Sequence, residues 1–428
     1  MLILLSAIFV AAYAAIAFEH PLRINKTATA LIAAGLLWTI LATMYGGGHE
    51  VGEGLTEAVA ETAQIVFFLM GAMTIVEVVD AHNGFEVITS RIRTSSQTTL
   101  LWLVGFVTFF LSAVLDNLTT TIVMISLIRK LIGNHEDRLF FAGMIVVAAN
   151  AGGAWSPIGD VTTTMLWIGG QITPLAIMQS VFLASLANLV VPLAVTAYAL
   201  RGRRIAPPDA PVVRNGGQAA TAERNLMFVL GICCLVAVPV FKTVTHLPPF
   251  LGILFGLGVL WLVGELLHRS KDDEAKQHLT MVHALKNIDM SSVVFFIGIL
   301  LAVAALGHSG ILATLAGWLD RTFGRLDVVV LLIGLVSAVV DNVPLVAATM
   351  GMYDLAQHPP NSFLWEFVAY CAGTGGSILI IGSAAGVAAM GMERIHFFWY
   401  AKRIGGLALL GYCAGAVVYL LQYRLAHG

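Results

Sequence analysis

Long apolar runs separated by short polar segments make up nearly the whole chain. Most runs have the roughly 20 residues that a helix needs to cross a bilayer. No basic segment precedes the first run, so it predicts a true span rather than a cleaved signal. The runs, bounded by charge, proline or glycine, lie near residues 2–18, 28–45, 59–79, 100–132, 139–168, 174–200, 226–242, 250–268, 290–306, 326–352, 362–390 and 404–422.

Two of these runs, 100–132 and 326–352, are too long or too interrupted for one clean helix. Each carries an Asp-Asn pair near its middle, Asp116-Asn117 in the first and Asp341-Asn342 in the second. Non-helical backbone at membrane depth is tolerated where it lines a cavity. We therefore expect two re-entrant hairpins with these pairs at their tips, together with about ten transmembrane helices.

The basic residues separate onto two sides of this arrangement. With the N-terminus outside, 19 of the 23 lysines and arginines fall on one side and 4 on the other. An excess of basic residues marks the cytoplasmic side, so both termini are expected to be periplasmic. The expected divisions are N-terminal helices (1–58), a first repeat (59–200), a cytoplasmic linker (201–225), scaffold helices with an interfacial segment (226–287) and a second repeat (288–428).

Three sequence blocks recur in the same order in the two halves. An odd number of crossings separates the first block from its copy, so the second half is expected to be inverted in the membrane, with broken helices near the midplane. The paired blocks are Phe67-Phe68 to Gly84 with Phe295-Phe296 to Gly310, Ser112 to Asn117 with Ser337 to Asn342, and Gly152 to Asp160 with Gly375 to Ser383.

Composition excludes several classes of function. The chain is 58% hydrophobic and only 11% charged, with a mean hydropathy of +0.87, which leaves no room for a sizeable soluble domain. Its net charge is −2, and basic residues are not interleaved with aromatic ones, so no nucleic-acid partner is expected. All four cysteines lie in apolar stretches, which favours core residues over disulfides or a metal cofactor. The pattern predicts an all-α polytopic membrane protein.

The stretch from Asn150 to Thr164 is rich in glycine and contains Pro157 within a would-be helix. Proline removes a backbone donor and clashes with the preceding turn, so the helix should break there. The break exposes backbone carbonyl oxygens, and Asn150, Asp160 and Thr162 add side-chain oxygens that a hard cation such as Na⁺ prefers. The alternative is that the hydroxyls only satisfy neighbouring backbone and that Asp160 faces a water-filled crevice.

Asp116 and Asp341 each precede an asparagine at a hairpin tip, where turn chemistry alone could explain them. In a low-dielectric site, however, a carboxylate takes either a cation or a proton, which is the basis of cation/proton exchange. We expect Na⁺ between the Asp116-Asn117 tip and the Asp160 break. The second half has Ser383 at the position of Asp160, so Asp341-Asn342 is expected to form a mirrored site or a proton relay.

Glu77 and Asp80 share a helix face at the end of the third run, with His82 just beyond. They could form a proton path, although a solvated helix end is the simpler reading. Glu265 and His268 are expected to lie in a cytoplasmic interfacial segment with no special role.

Four blocks together resemble NhaD-type Na⁺/H⁺ antiporters of the ion transporter superfamily, which also contains dicarboxylate and arsenite carriers. They run from Ser112 to Thr121, Asn150 to Thr164, Ser337 to Pro344 and Gly373 to Gly386. The resemblance implies a homodimeric, elevator-like carrier of the bacterial inner membrane that exchanges Na⁺ or Li⁺ for H⁺, without cofactors or enzymatic activity. It implies ion binding by Asp116, Asn117, Asn150, Asp160, Thr162, Ser337, Asp341, Asn342 and Ser377, with Na⁺ at the first five.

Three other functions deserve comparison. A sodium-coupled carrier of dicarboxylates or oxyanions would usually recruit Arg, Lys or helix N-termini, and no Arg or Lys is expected near the midplane. Tyr353-Asp354 and Gly159-Asp160 faintly resemble the motifs of intramembrane aspartyl proteases, but in reversed order. A simple channel would not need hairpins from both faces.

Overall fold

A computed structural model describes residues 2–17, 19–22, 24–44, 49–89, 94–205, 221–269 and 277–427 of this chain. Apart from an isolated bridge between Ser96 and Arg204, the regular structure in these ranges is helical. The α-helices are α1 (Leu2–Ala17), α2 (Glu19–Leu22), α3 (Lys26–Met44), α4 (His49–Ala81), α5 (Glu86–Thr89), α6 (Gln97–Ser112), α7 (Asn117–Leu131), α8 (His135–Ala154), α9 (Val161–Ile168), α10 (Pro174–Ala199), α11 (Thr221–Thr245), α12 (Pro249–His268), α13 (Met281–Asn287), α14 (Met290–His308), α15 (Ile311–Phe323), α16 (Leu326–Val336), α17 (Asn342–Met352), α18 (Phe363–Gly375), α19 (Ala384–Glu393), α20 (Phe397–Tyr400) and α21 (Gly406–His427).

Seven helices of the described chain are long and apolar enough to cross a membrane, which confirms the polytopic class predicted from the sequence. They are α3, α4, α10, α11, α12, α14 and the continuous stretch Phe397–Ala426, in which a π-helical turn, Ala401–Gly405, joins α20 to α21. The 33-residue α4 runs through the expected boundary at residue 58. Most of the expected linker, residues 206–220, lies outside the described residues.

Helices α6 and α7 form an antiparallel pair that lies along α8. Gln97, at the start of α6, donates through Nε2 to Asp137 Oδ2 at 2.7 Å, near the start of α8. The end of α7 reaches the same place, because Arg138 Nη1 donates to the carbonyl oxygen of Ile132 at 3.2 Å. The tip of the pair, residues 113–116, therefore lies at the other end of α8.

Helices α16 and α17 repeat this arrangement against α18. At the tip of the first pair, Ser112 Oγ donates to the carbonyl oxygen of Ala149 at 2.7 Å. At the tip of the second, Ser337 Oγ donates to the carbonyl oxygen of Ala372 at 2.9 Å. Each tip is thus held by a serine to the last turns of the helix beside it.

The helices α8 and α18 each continue after a break, into α9 and α19, and the two broken helices run antiparallel. At one end, Asn361 Oδ1, just before α18, accepts from the backbone N–H of Thr173, just after α9, at 2.7 Å. At the other end, Glu393 of α19 accepts from Arg129 Nε at 2.6 Å and from Arg138 Nε at 3.3 Å. The two hairpin tips therefore approach each other from opposite ends.

Each broken helix lies in close backbone contact with the hairpin beside it, and the two contacts are alike. A Cβ on Gly152 of α8 would collide with the carbonyl oxygen of Phe109 in α6. A Cβ on Gly375 of α18 would collide with the carbonyl oxygen of Gly334 in α16. Only glycine allows each broken helix to lie this close to its hairpin.

Helices α3, α4, α11, α12 and α14 form a second body beside the hairpins and broken helices, whereas α10 and α21 pack on α8 and α18. Helix α14 packs on α3 and α4, and α12 packs on α4 and α11. Trp38 Nε1 of α3 donates to the carbonyl oxygen of Leu301 in α14 at 2.9 Å. The two bodies meet where α17 contacts α14 and where α9 contacts α4.

Candidate ion-binding site

The predicted break in the broken helix places a buried carboxylate near the centre of the fold. Helix α8 ends at Ala154 and α9 begins at Val161, so Pro157 lies in the intervening segment as expected. Asp160 caps α9, where its Oδ1 accepts from the backbone N–H of Thr162 at 3.0 Å. The whole residue is only 1% exposed.

Three asparagines and a serine connect to Asp160. Asn117 Nδ2 lies 2.8 Å from Asp160 Oδ2 and 2.9 Å from Asn150 Oδ1. Asn342 Nδ2 donates to the same Asp160 oxygen at 3.3 Å, and Asn150 Nδ2 donates to Ser383 Oγ at 2.9 Å. All five residues are buried. We call them the polar cluster; it brings together both hairpin tips and both breaks.

The polar cluster is not symmetric, although its scaffold is. Ser383 caps α19 as Asp160 caps α9, with its Oγ accepting from the backbone N–H of Gly386 at 3.2 Å. In the repeat alignment Ser383 replaces Asp160, and Gly373 replaces Asn150. The cluster therefore contains one carboxylate.

Asp116 points back to its own helix. Its Oδ1 accepts from the backbone N–H of Thr119 and its Oδ2 from the Thr119 hydroxyl, both at 2.8 Å. This carboxylate caps α7, next to Asn117, which does belong to the polar cluster. The structure therefore brings Asn117, but not the Asp116 carboxylate, into hydrogen-bonding contact with Asp160.

Asp341 has a cationic partner that the sequence did not reveal. Lys26 Nζ, at the start of α3, lies 3.0 Å from Asp341 Oδ2 and 4.5 Å from the centre of the Phe295 ring. Lys26 thus contacts a hairpin tip, although no lysine or arginine was expected near the midplane. The long lysine side chain reaches the tip from the start of α3. A count of basic residues by side assigns Lys26 to the cytoplasmic side and gives no sign of this contact.

The other expected ligands differ in their surroundings. The Ser337 hydroxyl donates to Ala372, and the Ser377 hydroxyl donates to the carbonyl oxygen of Thr374 at 2.6 Å, so both bond to backbone rather than to the polar cluster. The Thr162 hydroxyl is buried and has no hydrogen-bond partner of acceptable geometry among the described residues. Of these hydroxyls, that of Thr162 is available to a bound ion.

The sequence does not predict two residues of this region as participants. It identifies Ser383 only as the replacement of Asp160, although its position as the capping residue of a second break is a usable signal. Lys26 carried no local signal, because its partner lies 315 residues away in the chain.

The residues suggested as a proton path are divided by the structure. Asp80 is exposed and shares a cavity of about 240 Å³ with Lys130, while Glu77 is half-buried. His82, in contrast, is fully buried, and its Nε2 lies 3.2 Å from His268 Nε2. The interpretation of His82 as part of a solvated helix end is wrong, since the ends of α4 and α12 pack together and bury both His82 and His268.

Comparison with known proteins adds the family context. The sequence model of the family described as "Citrate transporter" matches residues 13–373. The chain is 49% identical to sodium/proton antiporter 1 of Arabidopsis thaliana, over 98% of this chain and 72% of that protein. It is 46% identical to sodium/proton antiporter 2 of the same plant, over 98% and 99%. It is 31% identical to the Na⁺/H⁺ antiporter NhaD of Vibrio cholerae, over 97% and 90%.

Proposed function

Because this chain belongs to the family of NhaD-type sodium/proton antiporters, we propose that it is a non-enzymatic membrane carrier that exchanges Na⁺ for H⁺. The observation that carries the proposal is a single buried carboxylate, Asp160, held among amides where two hairpin tips meet two helix breaks. No cofactor is needed for this exchange.

The polar cluster offers Na⁺ the oxygen ligands that it prefers. Asp160 supplies negative charge, and the buried Thr162 hydroxyl supplies a neutral oxygen beside it. Asn117 and Asn342 now direct their NH₂ groups at Asp160; a half-turn of either amide would present its carbonyl oxygen instead. The same side chains can therefore stabilise the carboxylate in the absence of an ion and coordinate Na⁺ when it enters.

Exchange follows from competition at Asp160. A carboxylate that binds Na⁺ in a low-dielectric site must be deprotonated, and a proton on it removes the charge that holds the ion. If the site opens alternately to the two faces, Na⁺ bound on one side is exchanged for H⁺ from the other.

The decisive experiment uses proteoliposomes with an acidic interior and measures internal pH as Na⁺, Li⁺, K⁺ or a dicarboxylate is added outside. The wild-type protein is expected to alkalinise the interior with Na⁺ and Li⁺. Asp160→Asn should remove this response with folding intact, and Asp354→Asn, in an exposed loop, serves as the matched control. Full Na⁺-dependent proton movement by Asp160→Asn would refute the proposed role.

An anion carrier is not favoured by the chemistry of the site. The N-termini of α7, α9 and α17, which could attract an anion, are each capped by an aspartate. The lysine near the tips is paired with Asp341. A dicarboxylate would thus meet carboxylates where it needs donors.

We further propose that Lys26 takes the place of a cation in the second half. Its ammonium group neutralises Asp341 as a bound Na⁺ would. The second hairpin tip therefore holds a cation that belongs to the protein, while the polar cluster binds and releases Na⁺. Asp116, Ser337 and Ser377 then support the tips and breaks, and Asp80 with Glu77 remains a proposed proton entry on the side expected to be cytoplasmic.

The transport cycle proposed for this fold is of the elevator type. The antiparallel hairpins and broken helices fit an inverted repeat with re-entrant hairpins, and they pack as one body against the body that contains α3, α4 and α14. Homodimerisation, a bacterial inner-membrane location and periplasmic termini complete the proposal. Labelling of single cysteines at positions 354 and 402 with an impermeant maleimide should mark opposite faces.

A further inference from the structure

Away from the polar cluster, three potential metal ligands meet in the second body. They are His82, just after α4, Glu223 near the start of α11, and His268 at the end of α12. All three are buried, at 0%, 7% and 5% exposure. We call them the His-His-Glu cluster. They come from separate parts of the chain, so no local motif in the sequence predicts them.

The facing atoms lie close enough together to share one metal ion. His268 Nε2 lies 3.2 Å from His82 Nε2 and 2.6 Å from Glu223 Oε1, and the third separation, from His82 Nε2 to Glu223 Oε1, is 3.9 Å. A point equidistant from these three atoms lies about 2.0 Å from each, which is the length of a Zn²⁺ bond to imidazole nitrogen or carboxylate oxygen. At that point His82 Nε2 and Glu223 Oε1 lie on nearly opposite sides, so tetrahedral binding requires the Glu223 carboxylate to turn.

The hydrogen bond on the far side of the His82 ring also fits metal binding. Its Nδ1 lies 2.7 Å from the carbonyl oxygen of Val78, which can only accept, so Nδ1 carries the hydrogen. A neutral ring then presents the lone pair of Nε2 to the centre of the cluster. Metal-binding histidines are commonly oriented by just such a bond from the other ring nitrogen to a backbone carbonyl.

Access and further ligands are available at the same place. His268 lines a cavity of about 340 Å³ together with Gly264, Thr280 and Met281. This space is ample for an entering ion and for a water molecule as an additional ligand. Neutral imidazole nitrogen and carboxylate oxygen suit a borderline divalent ion of the Zn²⁺ type.

We propose that the His-His-Glu cluster is a binding site for one divalent transition-metal ion, with Zn²⁺ the best candidate. The ion fastens the end of α4, the start of α11 and the end of α12 to one another on the side expected to be cytoplasmic. The site lies in the second body and shares no residue with the polar cluster, so it is a structural or regulatory site rather than a part of the exchange site.

The test uses the purified full-length chain with any affinity tag removed. The protein is stripped with a chelator, reloaded with Zn²⁺, desalted and analysed for bound metal by mass spectrometry. About one Zn²⁺ per chain is expected for the wild type, and nearly none for His268→Gln or Glu223→Gln. His283→Gln is the matched control, because His283 contacts His278 nearby and could bind Zn²⁺ adventitiously.

Two further measurements keep the proposal testable if a variant does not fold. X-ray absorption of the Zn²⁺-loaded wild type should show two imidazole nitrogens in the coordination shell, and Zn²⁺ should raise its thermal midpoint. The proposal is overturned if the wild type retains no Zn²⁺ or if His283→Gln loses the metal as fully as His268→Gln. It is equally overturned if a loaded wild type shows fewer than two imidazole ligands.

Discussion

At the scale of single residues, the asparagines of the polar cluster matter as much as its aspartate. A chain of hydrogen bonds runs from Asn342 through Asp160, Asn117 and Asn150 to Ser383. An amide can offer either a donor or an acceptor to the same neighbour. This allows the site to remain satisfied both with and without a cation, which a site built from carboxylates alone could not do.

Ser383 and Ser377 form a matched pair for testing the polar cluster. Ser383→Ala removes the acceptor of Asn150 Nδ2, and with it a hydrogen bond that stabilises the position of this amide by about 1 kcal/mol. The apparent KM for Na⁺ should therefore rise about fivefold to tenfold. Ser377→Ala removes only a bond to a backbone carbonyl and should leave this KM nearly unchanged. A larger effect of Ser377→Ala, measured by Na⁺ titration in proteoliposomes, would exclude the geometry described for the cluster.

The Lys26–Asp341 pair makes a second prediction at this scale. Lys26→Met leaves a largely buried carboxylate without its cation and should lower both the thermal midpoint and the exchange rate. Adding Asp341→Asn should recover much of the lost stability, with a coupling free energy of about 1–3 kcal/mol in a double-mutant cycle. Additive effects of the two substitutions would show that the pair does not contribute as a unit.

At the scale of elements, the first hairpin packs against its broken helix in the same way as the second hairpin packs against its own. A glycine in each broken helix lies against a carbonyl of the neighbouring hairpin, and a serine at each tip bonds to the same helix. Such a close approach fixes the height of each tip relative to its break. The position of the polar cluster therefore depends on contacts that involve none of its own side chains.

Gly152→Ala and Gly375→Ala test this dependence. Each added methyl group meets a backbone carbonyl and should cost about 1–3 kcal/mol, seen as a lower thermal midpoint and a weaker apparent affinity for Na⁺. Gly258→Ala, where the added Cβ meets open space, should change neither property. Equal behaviour of all three variants would contradict the packing described here.

Sequence alone predicted the elements better than it predicted the contacts between them. The run 174–200 corresponds to Pro174–Ala199 and the run 250–268 to Pro249–His268, because apolar length and flanking proline are local signals. The break at Pro157 could be predicted for the same reason, because proline is a local signal. Two contacts could not be predicted, those of Lys26 with Asp341 and of His82 with His268. Their side chains are 315 and 186 residues apart in the chain and meet only through the packing of several helices.

At the scale of the whole molecule, proton competition at one carboxylate predicts a specific pH dependence. Below the pKa of the Asp160 carboxyl, each unit of falling pH should raise the apparent KM for Na⁺ about tenfold, because protonation removes the Na⁺-binding form. Above that pKa the apparent KM should level off. Na⁺ titrations at a series of pH values test this, with Asp354→Asn as control; a constant KM across the active range would place the proton elsewhere.

The presence of one carboxylate in the polar cluster also bears on the membrane potential. If Asp341 stays neutralised by Lys26 while Asp160 alternates between Na⁺ and H⁺, the two loaded forms carry the same charge. A charge that crosses the whole electric field is worth about 2.3 kcal/mol per 100 mV. The two loaded forms would then cross the membrane with the same net charge and the same voltage dependence. A carrier without a bound ion would cross with one more negative charge. Voltage should therefore act differently on an uncoupled crossing of the ion-free carrier than on the exchange of one ion for the other.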